Sequence, residues 1–189
     1  YEMEKDENGM FSVEVNNIEC GFHYYELSVN GTNTINHQAP VGYGCFKAMN
    51  YLEMPDPDFT DYELRNVPHG TVHVDYVKSS QTGRTKLCYV YTPVGYEKSD
   101  KRYPVVYLQH GGGENENGWV WQGKVNYIMD NLLAKGMCEE AIVVMTTGYS
   151  FRPDGTSHPS LGSVAEEIAL DVVPFIDNKY RTIKDRKGR

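Results

Sequence analysis

Basic residues are nearly absent from the first third of this chain. Residues 1–62 carry only Lys5 and Lys47 against eleven carboxylates, a net charge of −9. The same stretch has no tryptophan. Nowhere does an apolar run approach the ~18 residues needed to cross a bilayer. With a formal net charge of −8, the chain is a poor general ligand for nucleic acid or an anionic membrane surface, and neither is expected as a partner. Cysteine is sparse. Cys20, Cys45, Cys88 and Cys138 have no metal-like spacing, so unpaired thiols are the default, with a Cys20–Cys45 bridge as the alternative. Internal repeats and low-complexity tracts are missing. The G-x-G-x-x-G and G-x-x-x-x-G-K-[ST] loops that cradle nucleotide phosphates are missing too. The sequence opens on Tyr1 rather than Met, so its start says nothing about localisation.

What is present is ordinary globular composition, 40% hydrophobic and 23% charged over 189 residues. That excludes disordered, collagen-like and small disulfide-scaffold classes and leaves one large domain or two small ones. Charge divides the chain into two candidate units, because residues 63–189 hold 16 basic and 15 acidic side chains. Within 1–62, Met10–Val15 and Phe22–Val29 read as strands, with turn signals at Asn8-Gly9 and Asn30-Gly31. This predicts a small all-β sandwich, followed by a linker around Met54–Val67 where Pro55, Pro57 and Pro68 interrupt regular structure.

From Gly70 the pattern changes. Thr71–Tyr76 and Lys86–Tyr91 read as strands. Tyr103–Gln109 and Ala141–Met145 are short continuous apolar runs, as expected of strands covered on both faces. Val125, Ile128, Met129, Leu132 and Leu133 recur with helical period, and Gly136 stands where a helix C-terminal glycine belongs. After a loop over Gly148–Leu161, Ser163-Val164-Ala165-Glu166 has the form of a capping box. Ala165, Ile168, Ala169, Val172, Val173 and Ile176 form the apolar stripe of that second helix, and Pro174 should kink or restart it. Alternating strands and helices predict an α/β fold with a parallel sheet.

The strongest chemical feature is His110-Gly111-Gly112-Gly113, at the end of a buried strand. Ligands of open α/β sheets sit at strand carboxyl ends. Three glycines let the backbone aim N–H groups into a cavity, which suits a developing oxyanion. A tight turn without a ligand is the plainer reading. Trp119 and Trp121 follow, one expected in the core and the other walling a substrate subsite. His69 and His73 lack the cluster a metal site needs and read as hydrogen-bonded side chains. Ser157-His158 reads as loop polarity. Glu166 and Glu167 fall in a helix first turn, where the macrodipole accounts for them.

Taken in order, several segments resemble the feruloyl esterases of carbohydrate esterase family 1. They are Val67–Thr71, Val90–Tyr96, Tyr103–Gly113, Asp130–Gly136, Ile142–Met145, Val173–Ile176 and Tyr180–Thr182. Less tightly, Asn8–Ser12 and Gly21–Gly31 are similar to the early-set, family-48-type carbohydrate-binding modules that precede such esterases, with Phe11 where members often have Trp. The resemblance implies an Ig-like sandwich over 1–62 and the front half of an α/β-hydrolase fold over 63–189. It implies hydrolysis of hydroxycinnamate esters on feruloylated arabinoxylan through a Ser–His–Asp triad, with no cofactor or metal, in a secreted, periplasmic or cell-surface setting. Gly112 would supply a backbone oxyanion donor, and Gly111, Gly113, Trp119 and Trp121 would line the substrate site. The family's nucleophile sits in G-x-S-x-G. Gly148–Arg152 and Gly155–Pro159 both fail that pattern, so the nucleophile is expected beyond Arg189, in a C-terminal half acting as partner to these residues. Tyr103–Gln109 would then be an open sheet edge. A siderophore (enterobactin-type) esterase and a non-catalytic glycan-binding protein are the alternative readings.

Overall fold

The computed structural model describes residues 1–157 and 162–189. In the acidic first part the turns fall where the sequence puts them, but the strands are shorter. A hairpin joins β1 (Glu4–Lys5) to β2 (Phe11–Ser12), its turn held by the Asp6 carboxylate, which accepts from the N–H groups of Asn8 (2.9 Å) and Met10 (2.8 Å). Asn30-Gly31 connects β4 (Leu27–Val29) to β5 (Thr32–Thr34), both turn residues having positive φ (51° and 78°), as a two-residue hairpin requires. The expected strand Met10–Val15 is therefore corrected to two residues. Met10 and Phe11 stay exposed, so no covering layer rewards a longer pairing. Phe22–Val29 is likewise corrected. It breaks at Glu26 into β3 (Gly21–Tyr25) and β4.

The longest strand of this part was not expected. β7 (Lys47–Met54) pairs antiparallel with both β3 and β6 (Val41–Gly44), giving the order β3-β7-β6. Its sequence, KAMNYLEM, lacks strict alternation because Met49 and Asn50 are adjacent and both buried. Asn50 earns its place by hydrogen bonding, donating to the carbonyls of Asn36 (2.9 Å) and Pro40 (3.2 Å) and accepting the Asn36 N–H (2.8 Å).

The main core forms around a second sheet of order β10-β11-β9-β8, made of β8 (Thr71–Lys78), β9 (Thr85–Thr92), β10 (Val105–Tyr107) and β11 (Ile142–Thr146). Only β10 and β11 run parallel. β9 is antiparallel to both its neighbours, so the expectation of a parallel sheet is corrected to a mixed one. The turn between β8 and β9, closed by Ser79 N–H on the Arg84 carbonyl (2.8 Å), is too short for anything but an antiparallel return. Between β10 and β11 lie α1 (Gly118–Trp121) and α2 (Val125–Ala134), which supply the longer crossover.

β11 is buried along its whole length, and its side chains alternate between two layers. Ile142 and Val144 pack with Val77, Val90 and Val105 against Val172 and Ile176 of the C-terminal helix. Val143 and Met145 pack with Tyr91 against Val120, Val125 and Met129 of α1 and α2. Each fully buried aliphatic side chain contributes about 1.5–3 kcal/mol, so this three-layer arrangement carries most of the stability. α2 ends as expected. Gly136 takes φ +67° and its N–H reaches the Leu133 carbonyl (3.0 Å), while Met137 N–H reaches Leu132 (2.9 Å).

The C-terminal helix begins as α3 (Val164–Glu167), widens into a π turn over Ile168–Val172 and resumes as α4 (Val173–Lys179), with Pro174 in its first turn. The wide turn accommodates a proline that has no N–H to give. It also rotates the stripe. Val172 and Ile176 are buried, whereas Ala165 and Ala169 are exposed and Glu167 is turned inward. The capping box does not form. Ser163 occupies the cap position, but its hydroxyl lies 3.2 Å from that of Ser157 instead.

β10, an edge strand of this sheet, is shorter than the expected Tyr103–Gln109 strand and is covered on one face only, because Val105 faces the C-terminal helix while Val106, on the other face, is 48% exposed. On its outer side Tyr103 makes an isolated parallel bridge to Thr182, through Tyr103 N–H on the Arg181 carbonyl (2.9 Å) and Ile183 N–H on the Tyr103 carbonyl (2.8 Å). Residues 55–70 contain no helix or strand, but they are tied down. The Asn131 side-chain amide donates to the carbonyls of Asp61 (2.7 Å) and Glu63 (2.8 Å), and Lys135 pairs with Asp61. Among the described residues no helix is long and apolar enough to cross a membrane.

All four thiols are free. Cys20 and Cys45 are exposed, whereas Cys88 is buried in the main core, which pushes its thiol up to about 12. A thiol-reactive reagent at neutral pH is expected to modify Cys20 and Cys45 fast, Cys138 more slowly and Cys88 only on unfolding. Mass spectrometry of a labelling time course checks this.

Candidate active site

The polypeptide leaves the sheet after Leu108, whose N–H still reaches the Val144 carbonyl (2.8 Å), and enters the glycine loop through Gln109 and His110. Both residues are pinned. The Gln109 amide donates to the Thr146 carbonyl (3.1 Å), and its own carbonyl accepts the Trp119 indole N–H (3.1 Å). Gly148 N–H donates to His110 Nε2 (2.8 Å), which assigns the ring proton to Nδ1, from where it is donated to the Gly111 carbonyl (2.8 Å). The ends of β10 and β11 are thus stitched together at the carboxyl edge of the sheet.

The three glycines have different fates. Gly113 takes φ +83°, and a Cβ there would lie 3.0 Å from Cys45 Cα and N. Its N–H donates to the Tyr149 hydroxyl (3.0 Å) and its carbonyl accepts the Phe46 N–H (2.9 Å), so both its backbone groups are used. Gly111 N–H faces the Glu114 carboxylate at 3.4 Å. Gly112 is exposed and has no atom within 4 Å of where a Cβ would stand. Among the described residues nothing accepts its N–H. A fixed loop with one unspent, accessible N–H is the local arrangement that stabilises a developing negative charge.

Of the two tryptophans, Trp119 is the core one, packed in the layer under α1 and α2 and hydrogen-bonded to the loop. Trp121 is 64% exposed.

Beneath the loop lies a polar centre that the sequence reading missed. Glu167, assigned there to the helix dipole, is 2% exposed. Its carboxylate accepts from the hydroxyls of Ser79 and Ser150 (both 2.6 Å) and from Lys86 Nζ (2.7 and 2.8 Å). Lys86 also donates to the Tyr149 carbonyl (2.8 Å), linking this centre to the residue that holds Gly113. Helical phase gave no signal for it, since at 3.6 residues per turn Glu167 falls opposite Val172 and Ile176, and only the π turn between them brings it to the face that turns to the sheet.

A second buried carboxylate, Asp130 on α2, accepts from the Tyr91 hydroxyl (2.7 Å), Gly70 N–H (2.8 Å) and His69 Nδ1 (2.8 Å). Burial first, then the hydrogen bond to Asp130, raises the Tyr91 phenol above its ordinary value. His73 bonds Thr92 Oγ1 (3.0 Å), so the two histidines do not converge. Among the described residues no cluster of His, Cys, Asp or Glu has the makings of a metal site. Ser157 accepts the Arg152 N–H (2.7 Å), while His158 lies outside the described residues.

Removing one partner from a buried ion pair costs about 3–5 kcal/mol, because the other charge is left uncompensated. Glu167→Ala is expected to lose stability on that scale in urea unfolding, whereas Glu166→Ala, on the exposed face, should stay within about 0.5 kcal/mol of the parent.

The Esterase family model matches residues 79–187. In sequence, 99% of the chain is 35% identical over 203 aligned residues to an endo-1,4-beta-xylanase/feruloyl esterase of Xylanibacter ruminicola, of which it covers 27%. A solved ferulic acid esterase of the CE1 family from Anaeromyces mucronatus, in complex with ferulic acid, is similar with a TM-score of 0.58 at 26% identity, over 68% of this chain and 49% of that one. The enterochelin esterase of Shigella flexneri shares the fold alone, at 14% identity and a TM-score of 0.53 over 72% of this chain and 33% of that one. The chain therefore spans about a quarter of the xylanase/feruloyl esterase and half of the solved ferulic acid esterase. The family match takes in more than half of the 189 residues, including the glycine loop and the Lys86–Glu167 centre, and this chain belongs to the Esterase family.

Proposed function

We propose that these residues form part of a carboxylic ester hydrolase that releases ferulate or related hydroxycinnamates from arabinoxylan through a serine acyl-enzyme. The observation that carries the reading is the N–H of Gly112, an exposed residue beyond the carboxyl end of β10, which no acceptor among the described residues takes. Attack on an ester carbonyl places negative charge on its oxygen. A preorganised N–H at that point lowers the barrier without having to reorganise. The xylanase/feruloyl esterase and ferulic acid esterase relatives support the substrate class. The serine route draws on no metal or organic cofactor.

The nucleophile in this reading lies C-terminal to Arg189, in a G-x-S-x-G that residues 1–189 do not contain. Ser150, one of the two serines that match G-x-S but not the final glycine, is fully buried and its hydroxyl is committed to Glu167, so it is no candidate for attack. The parallel bridge between Thr182 and Tyr103, two residues before β10, supports a further strand on that side. Such a strand would end, like β10, beside the glycine loop. We read residues 1–62 as an early-set, family-48-type carbohydrate-binding module, Trp121 as a surface substrate contact, and the whole as a secreted, periplasmic or cell-surface enzyme acting on plant cell-wall polysaccharide.

The test is hydrolysis of methyl ferulate by the full-length protein, with Gly112 substituted. Gly112→Pro, which deletes the N–H, should lower kcat about 10²–10³-fold, the usual loss for one oxyanion donor. Gly112→Ala keeps the N–H and meets no neighbour, so it should stay close to the parent. Residues 1–189 alone should be inactive. Equal effects of the two substitutions, or active-site-titratable turnover by residues 1–189, would overturn the assignment.

A further inference from the structure

The turn between β6 and β7 is built from unusual residues. A two-residue connection of this kind needs positive φ at both positions and is normally filled by Asn and Gly. Here Cys45 (φ +52°) and Phe46 (φ +64°) occupy it. A bulky residue in the left-handed region is strained, and strain of this sort gathers at functional sites. Burial does not compensate it, since Phe46 is 69% exposed.

The backbone beneath that ring is nevertheless fixed. Phe46 N–H donates to the Gly113 carbonyl (2.9 Å), and the Cys45 backbone fills the space a Gly113 side chain would need. Gln122 braces the hairpin from behind, accepting the Tyr43 N–H (3.0 Å) and bonding the Tyr24 hydroxyl. The exposed Phe46 ring stands 6.2 Å, centroid to centroid, from the ring of Tyr149, which holds the Gly113 N–H. A strained turn from the first unit therefore delivers an apolar ring to the residue beside the free N–H of Gly112.

We infer that Phe46, with Tyr149, forms the wall on which the aromatic ring of the acyl group lies while its carbonyl oxygen sits on Gly112. The inference rests on the esterase reading above. A hydroxycinnamoyl group is flat and stiff, and two carbons separate its ring from the carbonyl. The side chain that receives the ring must therefore lie within one side chain's reach of the oxyanion donor. Phe46 meets that condition, because its own backbone is bonded to the next residue of the loop. Aromatic pairs favour offset or edge-on contact at centroid distances of about 4.5–7 Å, and Phe46, tilted against Tyr149, remains 69% exposed and so able to take a further ring. Because the turn is held before the ligand arrives, binding orders little further chain.

The experiment compares 4-nitrophenyl ferulate with 4-nitrophenyl acetate, which share a leaving group and differ only in the acyl part, in full-length protein carrying Phe46→Ala or Phe46→Tyr. The ratio of kcat/KM for ferulate to that for acetate is expected to fall about five- to tenfold in Phe46→Ala, through KM, and to recover in Phe46→Tyr. Equal losses on both esters would make Phe46 merely structural, and no loss on either would remove it from the site. A loss confined to feruloylated arabinoxylan would put it on the sugar side. Each of these overturns the inference while leaving the esterase reading intact. If the parent hydrolyses neither ester, that reading falls and the inference with it.

Discussion

A lysine and a glutamate share the interior of this molecule under the glycine loop, and the arrangement of the loop depends on them. Taking two charges out of water is expensive, and their attraction offsets the cost only where other hydrogen bonds satisfy the remaining lone pairs. Glu167 meets that condition with the hydroxyls of Ser79 and Ser150, and Lys86 does so with the Tyr149 carbonyl. The centre therefore joins the ends of β8 and β9, the loop after β11 and the start of the C-terminal helix. An apolar cluster of equal volume would hold the same layers together. It would not fix which backbone carbonyl lies where, and Tyr149 has to be in one place to take the N–H of Gly113.

The chemistry of the loop follows by elimination. Three consecutive glycines offer three N–H groups, and a loop that bonded all of them internally would be inert. Glu114 faces the first at a long distance and Tyr149 takes the third. Among the described residues the middle one is left over. Gly113 is also the one glycine of the loop with positive φ, and it is closed against Cys45, so it serves as the hinge point of the turn while Gly112 is left with open space. A donor is made available because its neighbours are used up.

Much of the scaffold was legible in the sequence, and the exceptions share a cause. β8, β9, β11 and α2 were legible because their own side chains carry a strand or helix pattern, a continuous apolar run in β11 and a helical period in α2, and Gly136 ends α2 by a rule that is local to the chain. The second helix was legible as a helix but not in phase, since the π turn before Pro174 rotates the stripe and brings Glu167 inward. β7 escaped because Asn50, a polar residue, is buried by bonds to Asn36 and Pro40 that no period predicts. The glycine loop was legible as a site, but which of its N–H groups stays free was not. That depends on Tyr149 and Phe46, which lie far away in sequence on either side. Trp119 and Trp121, two residues apart on one short helix, could be told apart only once the layer beneath α1 was known.

The charge division between residues 1–62 and 63–189 suggests two bodies joined by a linker, yet besides the Asp61 contacts to α2 a further set of contacts between them gathers around the glycine loop. Glu53 pairs with Lys124, Tyr43 and Tyr24 meet Gln122, and Phe46 meets Gly113. Lys124 and Gln122 belong to the turn of chain that immediately follows the glycine loop and α1. An acidic surface on the first unit thus faces a basic side chain beside the loop, and the hairpin tip reaches the loop itself. A module that only brought an enzyme near its polymer would be indifferent to where it touched. One that closes against the glycine loop, with a strained turn at the point of contact, helps to set the loop's own shape.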